Sequence, residues 1–302
     1  MKKAGIIGVG AIGKGVLKHL IKHGFDVVAY DKSESGKSNI AALGGKSAQA
    51  PDEVARHADI LFLSLPGPQV VRELLAGERG IINSLKEGSF IADLSTIDPS
   101  TTKEMAALCS QRDISYFDCP VSGGPDGADA GTLTIMVGGP EEKFHQLLTT
   151  LKCVGSNIEY IGDTGLAQTL KLCHNMVVAA TTVALGEAFA TGVKQGLDIK
   201  QMADVIGKSV GSSRTLAFFG PNIINDTYEN IKFMLNHMHK DMELYVKMAQ
   251  ENLIPSFIGS TTYNLYHAAK TQGKGNLDHT AVCQVIENLA ETKLVNQVSI
   301  AK

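Results

Sequence analysis

The chain has 302 residues, of which 44% are hydrophobic, and its net charge is −3. This length holds one large domain or two smaller ones, and the composition is that of a globular protein with a sizeable core. Nucleic-acid binding usually needs a basic surface, so we expect no nucleic-acid partner. No apolar run of roughly 18 or more residues, the length that a membrane span needs, stands out in the sequence. We therefore expect no membrane association. The five cysteines form no CxxC pair, which predicts neither disulfides nor a zinc site and favours the reducing cytoplasm.

Short apolar runs alternate with helical patterns through the first half of the chain. The predicted strands are Ala4–Ile7, Asp26–Tyr30, Ile60–Leu65, Phe90–Leu94, Tyr116–Cys119, Leu133–Val137 and Ile158–Ile161. The predicted helices are Ala11–His23, Pro51–His57, Gln69–Ala76, Pro99–Arg112 and Glu141–Leu151. This alternation indicates βαβ units and a mostly parallel sheet, so we predict an α/β, Rossmann-type domain.

From about Gly165 the pattern is helical throughout. The run Gly165–Gln195 contains no proline, and as a single helix it would span roughly 40 Å or more, buried in a second domain or against a partner subunit. Later helices are predicted at Ile199–Lys208, His239–Glu251, Pro255–Gln272 and Thr280–Glu287. We place the boundary near Asp163, between a nucleotide-binding domain (1–163) and an all-helical domain (164–302).

A glycine-rich motif, GVGAIG, follows the first predicted strand and opens the first predicted helix. Its glycines suit a tight turn and close approach to a pyrophosphate, which the helix N-terminus attracts. Asp31 ends the second strand, where a carboxylate binds the adenosine ribose and repels a 2′-phosphate, so NAD is favoured over NADP. The nearby Lys32 and Lys37 keep NADP open. The predicted phosphate-binding residues are Gly8, Gly10, Ala11, Ile12 and Gly13.

Two further loops follow predicted strands, at the sheet edge where ligands bind in open α/β folds. Leu65 and Pro66 lie in one and Thr96 in the other, so all three are candidates for contact with the ribose and nicotinamide. A competing interpretation makes Thr96 a helix cap.

The run Asp118–Gly139 contains two glycine pairs. The first pair is Gly123 and Gly124, and Ser122 precedes it. At such a pair the backbone is able to approach a ligand closely and present N–H groups to a carboxylate or phosphate. A turn without a ligand is the alternative, because glycine pairs often mark turns.

Lys171 and Asn175 are four residues apart, so they share one face of the long predicted helix. Lys171 lies among apolar residues, where burial would lower its pKa and suit it to proton transfer. The alternative is a lysine that extends to the helix surface.

These motifs, together with His239–Met242 (HKDM), occur in the order and approximate spacing of the β-hydroxyacid dehydrogenases. The chain resembles that family over essentially its whole length. The resemblance implies that Lys171 is the general acid/base, that Asn175 binds substrate and that the PVSGG turn holds the substrate carboxylate. It also implies that Lys240 and Phe233 lie near the nicotinamide, and that the protein is a homodimer or homotetramer. His174 is either a substrate contact or a packing residue.

The implied reaction is a reversible hydride transfer between NAD(P) and a small 3-hydroxy acid. Family members include 3-hydroxyisobutyrate dehydrogenase, tartronate semialdehyde reductase and 2-(hydroxymethyl)glutarate dehydrogenase, and the choice among them stays open. Val178 stands where 6-phosphogluconate dehydrogenases carry a decarboxylating glutamate, so we expect no decarboxylation. Imine reductases usually replace the lysine, so Lys171 also disfavours that activity. A catalytically silent dinucleotide-binding scaffold is the alternative of another class.

For several other residues we favour a structural interpretation. Cys119 and Cys173 are expected to fill space rather than act as nucleophiles. The pair His237 and His239 is weak as a metal site, and we expect no metal. Ser213 is expected to cap a helix rather than contact substrate.

Overall fold

The computed structural model describes residues 2–295 of the chain. The chain divides into two compact units between Lys171 and Leu172. This division lies inside the long helix, whereas the predicted boundary near Asp163 lies in the turn before it. The difference arises because the first residues of the helix are hydrogen-bonded to the sheet of the first unit. The ends of the two predicted domains, Met1 and 296–302, lie outside the described residues.

The first unit is an alternating α/β structure. Its strands are β1 (Lys3–Ile7), β2 (Asp26–Tyr30), β3 (Lys46–Ser47), β4 (Ile60–Leu63), β5 (Phe90–Asp93), β6 (Ser115–Asp118), β7 (Val121–Ser122), β8 (Leu133–Gly138) and β9 (Gly155–Gly162). Its helices are α1 (Ala11–Lys22), α2 (Glu34–Ala42), α3 (Pro51–His57), α4 (Pro68–Ala76), α5 (Pro99–Ser110), α6 (Gly124–Ala130) and α7 (Glu141–Leu151), with a 3₁₀ turn at Ile81–Ser84.

These strands form one sheet in the order β3-β2-β1-β4-β5-β6-β8-β7, and β9 also pairs with β8. The pairs from β3 to β6 are parallel, whereas β8 is antiparallel to β6 and β7. The order 3-2-1-4-5-6 is that of dinucleotide-binding folds. The predicted Rossmann-type architecture is therefore confirmed.

The central strands are apolar on both faces. Every residue of β4 is buried, with Phe62 in one hydrophobic cluster and its neighbours Leu61 and Leu63 in another. Helices on both sides of a parallel sheet cause this continuous apolar pattern. The buried sheet places the loops after β1, β2, β4 and β5 along one edge.

Two helices of this unit were not predicted. The helix α2 has only Gly36 and Ile40 buried, so its sequence carries little hydrophobic periodicity. The helix α6 contains glycine and aspartate, which in sequence indicate a turn. It forms because it packs on α1, where a Cβ at Gly15 would lie 2.4 Å from the carbonyl oxygen of Ala128.

The second unit is helical, as predicted. The helix α8 (Leu166–Lys194) begins in the first unit and continues through the second, followed by α9 (Ile199–Gly207), α10 (Arg214–Ile224), α11 (Leu235–Glu251), α12 (Phe257–Ala269) and α13 (Cys283–Ala290). The helix α10 was not predicted, because Gly220 and Pro221 interrupt its pattern. Its cap is Ser213, whose hydroxyl accepts from the N–H of Leu216, as expected. The unit's core contains Phe189, Leu235 and Tyr266.

The helix α8 has the length and apolar composition of a membrane span, so the expectation that no apolar run is long enough for one is wrong. Core helices of soluble proteins meet the same criterion. Buried polar side chains interrupt this one, and Gln168 and Asn175 have hydrogen-bond partners within the protein. Satisfied polar groups of this kind are typical of a helix in a protein core.

Candidate active site

The loop between β1 and α1 is shaped by two of its glycines. Gly8 has a φ of 93°, and a Cβ there would lie 2.1 Å from the carbonyl oxygen of Ser64. A Cβ at Gly13 would lie 1.9 Å from the carbonyl oxygen of Gly8. Both positions therefore require glycine for the protein's own packing, in keeping with the tight turn and close helix-to-strand approach predicted from the motif.

Gly10 differs, because no described atom beyond its own neighbours in the chain lies within 4 Å of the position that its Cβ would take. It is the N-cap of α1, and this helix end has no side-chain cap and no acidic residue in its first turn. Ala11 and Ile12 begin that turn, and their N–H groups belong to the positive end of the helix. Space at Gly10 next to uncapped N–H groups fits the pyrophosphate of a dinucleotide.

Asp31, just after β2, is held as a carboxylate. Its Oδ2 accepts from the N–H of Val9 (2.7 Å), and its Oδ1 accepts from the N–H (2.8 Å) and hydroxyl (2.7 Å) of Ser33. Burial alone would raise its pKa, but the hydrogen bonds from Ser33 and Val9 outweigh burial, and the pKa is lowered. A carboxylate oxygen accepts about two hydrogen bonds, so Oδ2 keeps capacity for a ribose hydroxyl.

The loops after β4 and β5 are joined to each other. The N–H of Leu65 donates to the hydroxyl of Ser95 at 2.9 Å. Pro66 is exposed and Thr96 is partly exposed at this edge. The cap of α5 is Asp98, which accepts from the N–H of Thr101, so the cap interpretation of Thr96 is wrong.

Ser122, Gly123 and Gly124 lie where β7 meets α6. Ser122 pairs with Thr134 of β8, and the two glycines have φ angles of 129° and 62°. Both angles lie in the region that glycine adopts without strain. The segment is thus an anchored serine followed by backbone that only glycine readily supplies, which suits close approach to a carboxylate.

Lys171 lies in the second turn of α8, where it is only 7% exposed. This burial contradicts the alternative of a lysine extended to the surface. The start of the helix is held by Asp118 at the end of β6, whose carboxylate accepts from the N–H groups of Gly165 (2.9 Å) and Gln168 (3.0 Å). Burial raises the pKa of Asp118, and these two hydrogen bonds oppose the rise.

In the second unit, Asn175 and Lys240 meet at one carboxylate. Asn175 Nδ2 donates to Asp241 Oδ2 at 2.6 Å, and Lys240 Nζ lies 2.8 Å from Asp241 Oδ1. The other end of the Asn175 amide, Oδ1, lies 3.0 Å from His174 Nδ1. Because the amide oxygen only accepts, His174 donates from Nδ1. Asp241 therefore fixes the orientation of the predicted substrate-binding amide.

Phe233 precedes α11 and is held by a neighbouring segment of the same unit. Its N–H donates to Asp278 Oδ2 (3.0 Å), and its carbonyl oxygen accepts from the N–H of His279 (2.7 Å). Asp278 is fully buried. The position of Phe233 is therefore fixed through its backbone.

The residues for which a structural interpretation was favoured include Cys119, Cys173 and the pair His237 and His239. Burial raises the pKa of Cys119, and partial desolvation raises that of the more exposed Cys173, so both thiols stay protonated and are poor nucleophiles. His239 Nε2 lies 3.1 Å from His267 Nδ1. Among residues 2–295 there is no group of three or more side chains suited to a metal ion.

Three residues that shape the site were not assigned roles from the sequence. Asp118 and Asp241 stand within the motifs themselves, Asp241 directly after Lys240, and Gln168 lies one turn before Lys171. The feature of the sequence that could have indicated their importance is a polar residue within a segment that is otherwise buried. Their partners lie far away in sequence, so their roles could not be inferred.

Comparisons with known proteins identify the family to which this chain belongs. A family model described as the NAD binding domain of 6-phosphogluconate dehydrogenase matches residues 3–162. A second, described as NAD-binding of NADP-dependent 3-hydroxyisobutyrate dehydrogenase, matches residues 165–286. A relative named as a probable mitochondrial 3-hydroxyisobutyrate dehydrogenase, from Dictyostelium discoideum, is 35% identical over 93% of this chain and 89% of its own length. The chain belongs to the β-hydroxyacid dehydrogenase family.

Other family members are similarly close. The 2-(hydroxymethyl)glutarate dehydrogenase of Eubacterium barkeri is 34% identical and covers 95% of each chain. The solved structure of Mycobacterium tuberculosis 3-hydroxyisobutyrate dehydrogenase with L-serine has a TM-score of 0.86 at 27% identity, and covers 95% of this chain and 99% of its own. As a member of this family, the chain is an NAD(P)-dependent hydroxyacid dehydrogenase that acts on CH–OH groups of small molecules.

Proposed function

We propose that this dehydrogenase interconverts a small 3-hydroxy acid and the corresponding semialdehyde or oxo acid, with Lys171 as the general acid/base. The burial of Lys171 in the second turn of α8 is the observation that carries this proposal. A lysine amine held in a fixed, largely buried position is a group that enzymes use as a general acid/base. Asn175 follows one turn later on the same helix face, where its oriented amide supports substrate binding.

The remaining roles follow from the chemistry of each group. Ser122, Gly123 and Gly124 bind the substrate carboxylate through hydroxyl and backbone N–H donors. Lys240, oriented by Asp241, provides a positive charge beside the nicotinamide and substrate. His174 donates to Asn175, which supports a positioning role over direct contact with substrate.

The proton moves at Lys171 Nζ. In oxidation, neutral Lys171 takes the proton of the substrate hydroxyl as the carbonyl forms, and in reduction the protonated amine returns it to the carbonyl oxygen. The nicotinamide, when bound, accepts or donates the hydride. A positioned acid/base of this kind contributes about 10²–10⁴-fold to the rate.

The proposed substrate is 3-hydroxyisobutyrate or a close analogue, with tartronate semialdehyde and 2-(hydroxymethyl)glutarate as alternatives. The relatives' named compounds share a carboxylate and a 3-hydroxyl, which match the PVSGG turn and Lys171. Initial rates followed at 340 nm with a panel of 3-hydroxy acids distinguish these substrates. NAD binding without turnover of any of them would support the scaffold alternative instead.

NAD is proposed as the preferred cofactor over NADP. The Asp31 carboxylate, with its lowered pKa, is negatively charged at neutral pH and repels a 2′-phosphate. Fluorescence titration of the protein with each reduced cofactor gives the two dissociation constants. A tighter constant for the phosphorylated cofactor would contradict this proposal.

A homodimer or homotetramer in the cytoplasm is also proposed. Leu166, Leu170, Cys173 and Val177 are exposed at four- and three-residue spacing along α8, a stripe that suits packing against a second copy. Light scattering that gives the mass of a monomer would contradict the oligomer. The five free cysteines favour a reducing compartment, which fluorescence microscopy of a tagged chain tests.

The central experiment replaces Lys171 with alanine. We expect Lys171→Ala to keep its NAD dissociation constant while its turnover falls by about 10²-fold or more, because only the acid/base is lost. Lys194→Ala, which removes an exposed lysine at the end of the same helix, is the matched control. Turnover of Lys171→Ala near that of the control would refute the assignment.

A further inference from the structure

Gln168 links the helix that carries Lys171 to the loop after β5. The side chain is fully buried, and its Nε2 donates to the carbonyl oxygen of Ser95 at 2.7 Å. Its Oε1 accepts from the N–H of Ile97 at 3.2 Å. One amide thus holds the backbone on both sides of Thr96, which lies between these two residues.

The backbone of Gln168 is held as firmly as its side chain. Its N–H donates to Asp118, which also accepts from the N–H of Gly165. Gly138, paired with Asp118 in the sheet, leaves room for that carboxylate, because a Cβ there would lie 2.7 Å from Asp118 Oδ1. The first turn of α8 therefore has a defined position against the ends of β6 and β8.

The loop on the other side of Gln168 is anchored in turn. The N–H of Ser95 donates to Asp93 Oδ1 (2.9 Å), and the hydroxyl of Tyr116 donates to Asp93 Oδ2 (2.6 Å). The hydroxyl of Ser95 accepts from Leu65. Asp93 and Tyr116 are both buried. Gln168 is therefore a direct side-chain link between α8 and a network that includes both loops proposed to contact the cofactor.

Lys171 follows Gln168 by three residues on the same helix, about 4.5 Å further along the axis and on an adjacent face. We propose that Gln168 is a positioning residue for hydride transfer, which sets the place of the Lys171 amine relative to the Ser95–Ile97 loop. This inference rests on the proposed role of Lys171. Gln168 itself exchanges no proton with substrate, and it acts by holding two parts of the site in register.

The experiment compares Gln168→Met with the wild-type protein. Methionine keeps the length of the side chain but loses both hydrogen bonds, whereas Gln201→Met changes an exposed glutamine on α9 and is the matched control. Because small misplacement of reacting groups costs about 10²-fold, we expect kcat of Gln168→Met to fall by about that factor. The NAD dissociation constant should stay within about threefold of the wild-type value.

A second measurement separates positioning from general stability. With substrate deuterated at the carbinol carbon, the isotope effect on kcat should increase in Gln168→Met, because hydride transfer becomes the slow step. Circular dichroism establishes whether Gln168→Met is folded. If Gln168→Met is unfolded, Gln168→Asn is used in its place, because asparagine keeps the amide donor and acceptor on a shorter side chain. A folded variant with wild-type kcat and isotope effect would overturn the inference, as would loss of NAD binding at unchanged kcat. If the wild-type protein itself turned over no 3-hydroxy acid, the proposed function would fail instead.

Discussion

Replacing Asp93 with asparagine should change how the stability of the protein depends on pH. Asp93 is fully buried at the end of β5, and burial raises its pKa to about 6, against hydrogen bonds from Ser95 and Tyr116. The folded protein therefore keeps a proton on this group at pH values where the unfolded chain has released it. The protonation of Asp93 therefore contributes to the free energy of unfolding at pH values below about 4, and this contribution is lost as the pH rises to about 6.

The size of the effect follows from the difference between the two pKa values. The shift from 3.8 to about 6 corresponds to about 3 kcal/mol of unfolding free energy. Asparagine has nearly the shape of a protonated aspartate, and it is able to accept from the N–H of Ser95 and donate to the Tyr116 oxygen. Asp93→Asn should therefore match the wild-type protein near pH 4 and be more stable by up to about 3 kcal/mol near pH 8.

Urea unfolding at a series of pH values measures this difference directly. Groups common to both proteins cancel when the free energy of the variant is compared with that of the wild type. Asp163→Asn, at an exposed position before α8, controls for the loss of any carboxylate. A difference between Asp93→Asn and wild type that stays constant from pH 4 to pH 8 would refute the reasoning.

Two further predictions concern carboxylates that hold backbone N–H groups. Asp118→Ala should lower the free energy of unfolding by about 3–5 kcal/mol in urea, because two buried N–H groups at the start of α8 lose their acceptor; a loss below about 1 kcal/mol would mean that water replaces the carboxylate. Asp31→Ala should shift the ratio of NAD to NADP dissociation constants towards NADP by about tenfold, because the charge that repels a 2′-phosphate is removed. An unchanged ratio in cofactor titrations would assign the discrimination to other residues.

The parts of this protein that were read correctly from the sequence depend on residues close together in the chain. The GVGAIG motif sits between an apolar strand and a helix, and its packing glycines, Gly8 and Gly13, are within six positions of each other. Helical periodicity alone placed Lys171 and Asn175 on one face of α8. The alternation of strands and helices predicted the parallel sheet, because each βαβ unit is formed by residues that are close together in the sequence.

Other features were missed because their stabilising partners are distant. The helix α6 has a turn-like composition and forms where it meets α1, and α2 buries too few residues to show a pattern. The start of α8 has glycine at its N-cap position, so its boundary depends on Asp118 from the sheet.

The sequence by itself determined the fold class and the family, and it predicted the reactive groups, since periodicity and motif spacing act over a few residues. The tertiary structure alone decided how those groups are held. Gln168 meets Ser95 across 73 positions, and Asn175 meets Asp241 across 66. A buried polar side chain must find a partner, but nothing local specifies which residue the folded chain will bring to it.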